Sequence, residues 1–174
     1  MKLLISDFPH DLIKIVYNSK KFDIFEIGNV LSSLPIIKSK IDIMDRKKIK
    51  EIISTSSPDY ILHKLSGTLE KKIISMINII ELGKLTSPNI KFIFINEFSE
   101  SKTLKELCNA YIVMMKTDCY FIDVINEDNI TKSHTFYYKT INHYYCYDII
   151  NEIFNKGQLN KSEILENYGN YVDN

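Results

Sequence analysis

Two Tyr-x-x-x-Lys pairs, Tyr17 with Lys21 and Tyr60 with Lys64, are the first residues in the chain whose types and spacing suit catalysis. On one face of a helix that spacing holds an ammonium beside a phenol, lowers the phenol's pKa and lets it pass a proton. The local pattern is against both pairs. Tyr17 closes a helix-like stretch, so Lys21 falls beyond it, and Tyr60 opens a predicted strand, where residues four apart do not meet. The four histidines, His10, His63, His134 and His143, show no HxH or HExxH spacing and read as ordinary surface or partly buried side chains, not as metal ligands. The three cysteines, Cys108, Cys119 and Cys146, form no CxxC pair and read as reduced intracellular thiols. Neither Cys108 nor Cys119 has a histidine nearby in sequence to activate it. The aromatic run HTFYYKTINHYYCY offers rings that would stack on a sugar or base, or simply pack.

Charge narrows the partners. The 22 basic and 22 acidic side chains cancel, and Arg46 is the only arginine, so no basic footprint for nucleic acid stands out. The most apolar stretch, Ile73 to Leu82, is about half a membrane span, and no signal-peptide pattern opens the chain. The expectation is a soluble cytoplasmic protein that binds neither nucleic acid nor membrane. Heavy use of Ile, Lys and Asn is the bias an AT-rich genome imposes.

Strand and helix patterns alternate along the chain. Leu3 to Ile5 reads as a strand and Leu12 to Tyr17 as a helix; Phe22 to Ile27 is a strand ended by Gly28 and Asn29. An irregular stretch containing Pro35 leads to a short predicted strand at Ile41, Asp42 and Ile43. Asp45 then caps a helix, RKKIKEIISTS, whose Ile49, Ile52 and Ile53 share a face. After Pro58 and Asp59 come a strand from Tyr60 to Leu62 and a helix from Leu69 to Leu82, capped by Ser66 or Thr68 and ended by Gly83. Lys91 to Ile95 is a buried-type strand. A helix from Thr103 to Met115, a strand from Tyr120 to Ile125 and a helix from Asp148 to Lys156 follow. Such alternation predicts right-handed crossovers and a doubly wound α/β domain, its sheet mostly parallel with helices on both faces. The predicted limits are one domain over 1–157 and a polar tail over 158–174 in which Ser162 starts one more short helix.

The run IDIMDRKKIKEIISTSSPDYIL, the strand Ile90 to Ile95 and the segment YYCYDIINEIF together resemble extended short-chain dehydrogenases/reductases. The similar branch is that of dTDP-4-dehydrorhamnose reductase and the NAD-dependent sugar epimerases and dehydratases. The resemblance implies a Rossmann-like fold with a truncated C-terminal region, and it exposes what is missing. The three glycine positions of that family's phosphate loop fall on Asp7, His10 and Ile13, which bring charge and bulk where pyrophosphate needs bare backbone. The small residues after its fourth strand become His63, Lys64 and Leu65. Its catalytic Ser or Thr falls on Asn96 and Glu97, and its Tyr-x-x-x-Lys on Lys102 and Glu106. Asp42 and Ile43 match an adenine-contacting pair, but the preferred reading is that Ile41 and Ile43 are core residues and Asp42 a strand-end polar residue, since adenine contact without phosphate contact is a weak anchor.

The helices over 69–82 and 104–115 correspond to a dimer-forming pair in those relatives, with Tyr111, Met114, Met115, Ile77 and Met76 as surface candidates; burial against the chain's own sheet is the other reading. The implied function is that of a non-catalytic descendant, without cofactor, acting on a protein partner that includes itself as a candidate. The alternative is an NAD- or NADP-dependent sugar-nucleotide reductase or epimerase with substituted catalytic residues. A third reading is a nucleotide-sugar binding module built on Asp42 and the aromatic segment.

Overall fold

In this computed structural model the described residues are 1–8 and 10–97, the helical residues Leu107, Ala110, Tyr111, Met114 and Met115, and 119–124. They form β1 (Lys2–Ser6), α1 (His10–Asn18), β2 (Asp23–Gly28), β3 (Ile37–Lys40), α2 (Arg46–Ser56), β4 (Tyr60–Leu65), α3 (Leu69–Thr86), β5 (Lys91–Glu97) and β6 (Cys119–Val124). All strands pair in parallel, in the order β3-β2-β1-β4-β5-β6. The central strands are continuous apolar runs because both faces are covered. Leu3, Leu4, Ile5, Ile61, Leu62, Phe92, Ile93 and Phe94 have no exposed surface.

Strand alternation divides the core. Leu4, Ile27, Ile61, Phe92 and Phe94 cluster with Ile49 and Ile53 of α2 and with Met76, Ile79 and Ile80 of α3. Leu3, Ile5, Leu62 and Ile93 turn to the other face, where right-handed crossover places α1 with its buried Ile13 and Val16. The Asp45 carboxylate caps α2 by accepting the Lys48 N–H at 3.2 Å, and the Thr68 hydroxyl, not Ser66, caps α3 at the Lys71 N–H.

Three sequence expectations shift. The third strand is Ile37–Lys40, upstream of the expected Ile41 to Ile43. Asp42 Oδ1 accepts the Met44 N–H at 2.9 Å and Asp42 O accepts the Asp45 N–H at 2.9 Å, so a side-chain-closed turn takes Asp42 and Ile43 out of the sheet. Gly83 does not end α3, which continues to Thr86. It is small for packing: a Cβ there would lie 2.7 Å from the Phe92 ring. The strand opened by Tyr60 runs beyond Leu62 to Leu65.

The crossover between β2 and β3 contains no helix. Buried Glu26 organises it instead, accepting the Ser32 N–H at 2.7 Å and the Ser32 Oγ–H at 2.6 Å, while Lys38 Nζ donates to Ser32 O at 2.6 Å. The expected residues Lys102 and Glu106, the aromatic segment, the final helices and the boundary at 157 lie outside the described residues. Among the described residues no helix is long and apolar enough to cross a membrane.

Candidate ligand crevice at the switch point

β1 and β4 are neighbours whose connections leave in opposite directions along the sheet, and such a point opens a crevice at the C-terminal ends of the strands. Asp7 stands at its centre. It follows β1 at φ 51°, in the left-handed region that glycine takes most easily. Its N–H donates to Ile27 O at 3.3 Å, and its carboxylate accepts the Asn29 N–H. A Cβ on Gly28, itself at φ 147°, would lie 2.5 Å from Asp7 Oδ1. Bare backbone at the end of β2 is therefore what admits the Asp7 carboxylate. Desolvation holds that carboxyl above its ordinary pKa; the Asn29 N–H and the Lys64 charge oppose the rise, and the Asp42 charge adds to it.

The other glycine-equivalent positions separate. His10 is exposed at the start of α1, whereas Ile13 is fully buried in the core. A pyrophosphate laid on this turn would face the Asp7 carboxylate, and the Asp7 N–H is already engaged by Ile27. The residues here do not fit the pyrophosphate of NAD or NADP.

At the C-terminal ends of β4 and β5 runs a row of buried polar groups that joins the expected positions His63 and Asn96 to two residues of α3, Lys72 and Ser75, which sequence reasoning missed. His63 Nε2 lies 3.0 Å from Ser75 Oγ, which in turn donates to Lys72 O at 3.0 Å. Lys72 Nζ donates to Asn96 Oδ1 at 2.8 Å. All four residues are nearly inaccessible. Ser6 and His63 are register partners on β1 and β4, and Ser6 Oγ and His63 Nδ1 are buried without a hydrogen-bond partner. Burial lowers the His63 pKa to about 4, with the Ser6 backbone close enough to oppose part of that drop. The only signal in the sequence is a polar residue interrupting an apolar run, as His63 does in YILHKL and Ser75 in IISMI.

The expected catalytic positions take other roles. Asn96 and Glu97 belong to β5 itself, and Asn96 is held by Lys72. Tyr60 and Lys64 lie along β4, about 13 Å apart at the rise of a strand, and the Tyr60 ring faces Lys91 Nζ at 5.6 Å. Tyr17 is near the end of α1, with Lys21 beyond it. Tyr111 donates to Glu81 Oε1 at 2.7 Å, and desolvation with that bond pushes its phenol up to about 12, the wrong direction for a proton donor near neutrality. Among the described residues no three His, Cys, Asp or Glu side chains are gathered to hold a metal. Of the dimer-surface candidates, Met76 is fully buried in the core, Ile77, Tyr111 and Met115 are half-buried, and Met114 is 65% exposed.

Comparison with known proteins decides the architecture. The chain is similar to a Rossmann-fold NAD(P)-binding family protein from Shigella flexneri, with a TM-score of 0.67 at 14% identity over 90% of this chain and 87% of that one. The fold is Rossmann-like. The chain is also similar to the enzyme WbmH of Bordetella bronchiseptica in complex with NAD+ (TM-score 0.58, 12% identity, 72% of this chain and 56% of that one). A dTDP-glucose 4,6-dehydratase from Bacillus anthracis in complex with NAD gives 0.58 at 11% identity over 71% of this chain and 54% of that one. The chain thus spans about half the length of these two enzymes. No protein-family model matches the sequence, and no curated protein matches it.

Proposed function

We propose that this Rossmann-like chain is a non-catalytic domain that acts by binding protein, itself or another chain, in a regulatory or structural role. The observation that carries the reading is Asp7. Its carboxylate lies across the end of β2, at the turn where a dinucleotide's pyrophosphate needs backbone N–H groups and no competing negative charge. Asn96 adds support, because the side chain at the expected catalytic position is engaged by Lys72. The interaction surface proposed for self-association is α3 with the helical residues Leu107, Ala110, Tyr111, Met114 and Met115, of which Leu107 and Met114 are exposed.

The test is a thermal-shift titration with NADH, NADPH and UDP- and dTDP-linked sugars, run beside a size-exclusion measurement of mass. The expected result is no saturable rise in melting temperature at millimolar ligand, with the protein eluting as an oligomer. A saturable rise with a cofactor would overturn the reading and favour an NAD(P)-dependent sugar-nucleotide enzyme with substituted residues, which otherwise rests on fold likeness alone.

A further inference from the structure

Ser6 and His63 are register partners on the parallel strands β1 and β4, so their side chains rise from the same face of the sheet. That face is the one α2 and α3 cover, because Leu4 and Ile61, two residues earlier on each strand, belong to the core cluster beneath those helices. Solvent does not reach the pair: Ser6 is 0% and His63 1% exposed. Hydrocarbon flanks it on both sides. Ile27 is the register partner of Ser6 on β2, and Phe94 is that of His63 on β5, its ring set edge to face with the imidazole at 6.0 Å between centroids.

The donors and acceptors around the imidazole assign its proton. Burial lowers the His63 pKa to about 4, so near pH 7 the ring is neutral, with one donor nitrogen and one acceptor. Ser75 Oγ lies 3.0 Å from His63 Nε2 and 3.0 Å from Lys72 O. A carbonyl only accepts, so the single hydroxyl hydrogen of Ser75 goes to Lys72 O. Ser75 Oγ therefore accepts from the ring, and Nε2 carries the proton. Nδ1, on the other side of the ring, is left with a lone pair.

The Ser6 hydroxyl has the opposite need, a hydrogen to donate. Ser6 Oγ and His63 Nδ1 are both buried with no hydrogen-bond partner among the described residues. Native interiors rarely leave such groups unpaired, and ordered water is a common partner. Adjacent strands stand about 4.8 Å apart, a gap that one water spans with two hydrogen bonds of about 2.8 Å. Hydrocarbon flanks and closure from solvent suit the site to a molecule of that size.

We infer that one buried water bridges Ser6 and His63, accepting the Ser6 hydroxyl hydrogen and donating to His63 Nδ1. It completes a one-way chain from the Ser6 hydroxyl through the water, the Nε2-protonated ring and the Ser75 hydroxyl to Lys72 O. Each member donates to the next, which fixes the tautomer of the ring and ties β1 through β4 to α3. The site is independent of the proposed protein-binding role.

The test is a crystal structure of the full chain at atomic resolution, joined to long-range proton-nitrogen NMR of the His63 ring at pH 7, which assigns the hydrogen that density does not show. Expected are a peak of density within about 3.2 Å of both Ser6 Oγ and His63 Nδ1 and a ring protonated on Nε2. In Ser6→Val the methyl groups take the place of the water. The peak should vanish, and the Nδ1 resonance should move toward that of a nitrogen with no hydrogen bond. If that variant does not fold, the parent's density and tautomer decide. Direct contact between Ser6 Oγ and Nδ1 overturns the inference, as does a ring protonated on Nδ1 that donates to the Ser6 backbone. No density between the two groups, or an Nδ1 resonance unmoved in folded Ser6→Val, sinks it equally.

Discussion

At the scale of residues, His63 is where pH enters the stability of the molecule. Its folded pKa of about 4 lies below the ordinary 6.5, so the fold holds it neutral while the unfolded chain takes up a proton from pH 6.5 downward. Its contribution is complete above pH 6.5 and declines as pH falls toward 4, by on the order of 3 kcal/mol in all. His63→Gln keeps a hydrogen-bonding amide for Ser75 but cannot titrate. Denaturant melts at pH 7 and pH 5 should therefore differ less in His63→Gln than in the parent; equal differences would assign the acid sensitivity to another group. Asp7 tests backbone conformation in the same way. At φ 51°, glycine costs nothing and alanine is disfavoured, so Asp7→Gly should be more stable than Asp7→Ala by roughly 1–2 kcal/mol. Identical melting temperatures for the two would show that the turn relaxes when the carboxylate goes.

At the scale of elements, the readable features were those with local causes. The Asp45 cap and the isoleucine spacing of α2 needed only neighbours in sequence, and both appear where the pattern put them. β3 was misplaced because its position depends on the Glu26–Ser32 latch, which belongs to the crossover, and on a turn closed by the Asp42 side chain. Gly83 looked like a helix stop, yet its reason is Phe92 on the next strand, a contact no window of sequence contains. Two substitutions separate these causes. Glu26→Ala leaves the buried Ser32 N–H and hydroxyl without their acceptor and should cost about 1–3 kcal/mol by chemical denaturation. In Gly83→Ala the gain in helix propensity, about 1 kcal/mol, opposes an overlap with the Phe92 ring that costs about 1–3 kcal/mol. A net loss of stability is expected, and a more stable protein would show that the ring can move aside.

At the scale of the whole molecule, the winding order was legible because strands alternating with helices leave few parallel arrangements, whereas the crevice was not. It draws Asp7, Gly28, Asp42 and His63 from separate parts of the chain, and only the folded register brings them together. The same holds for the helix surface proposed for self-association. Arg46 of α2 donates to Asn78 at 2.6 Å and Glu81 at 2.7 Å on α3, and Glu81 also accepts the Tyr111 hydroxyl, so three successive helical segments are fastened along one line. That fastening draws Tyr111 inward and leaves Leu107 and Met114, seven residues apart on one helical face, at 45% and 65% exposure. Lysine at both positions places two charges on the outer face and leaves the Arg46, Glu81 and Tyr111 contacts intact. If this face joins two copies, the Leu107→Lys, Met114→Lys double variant should have half the parent's mass by light scattering, with unchanged circular dichroism. An undiminished mass would remove this face as the self-contact.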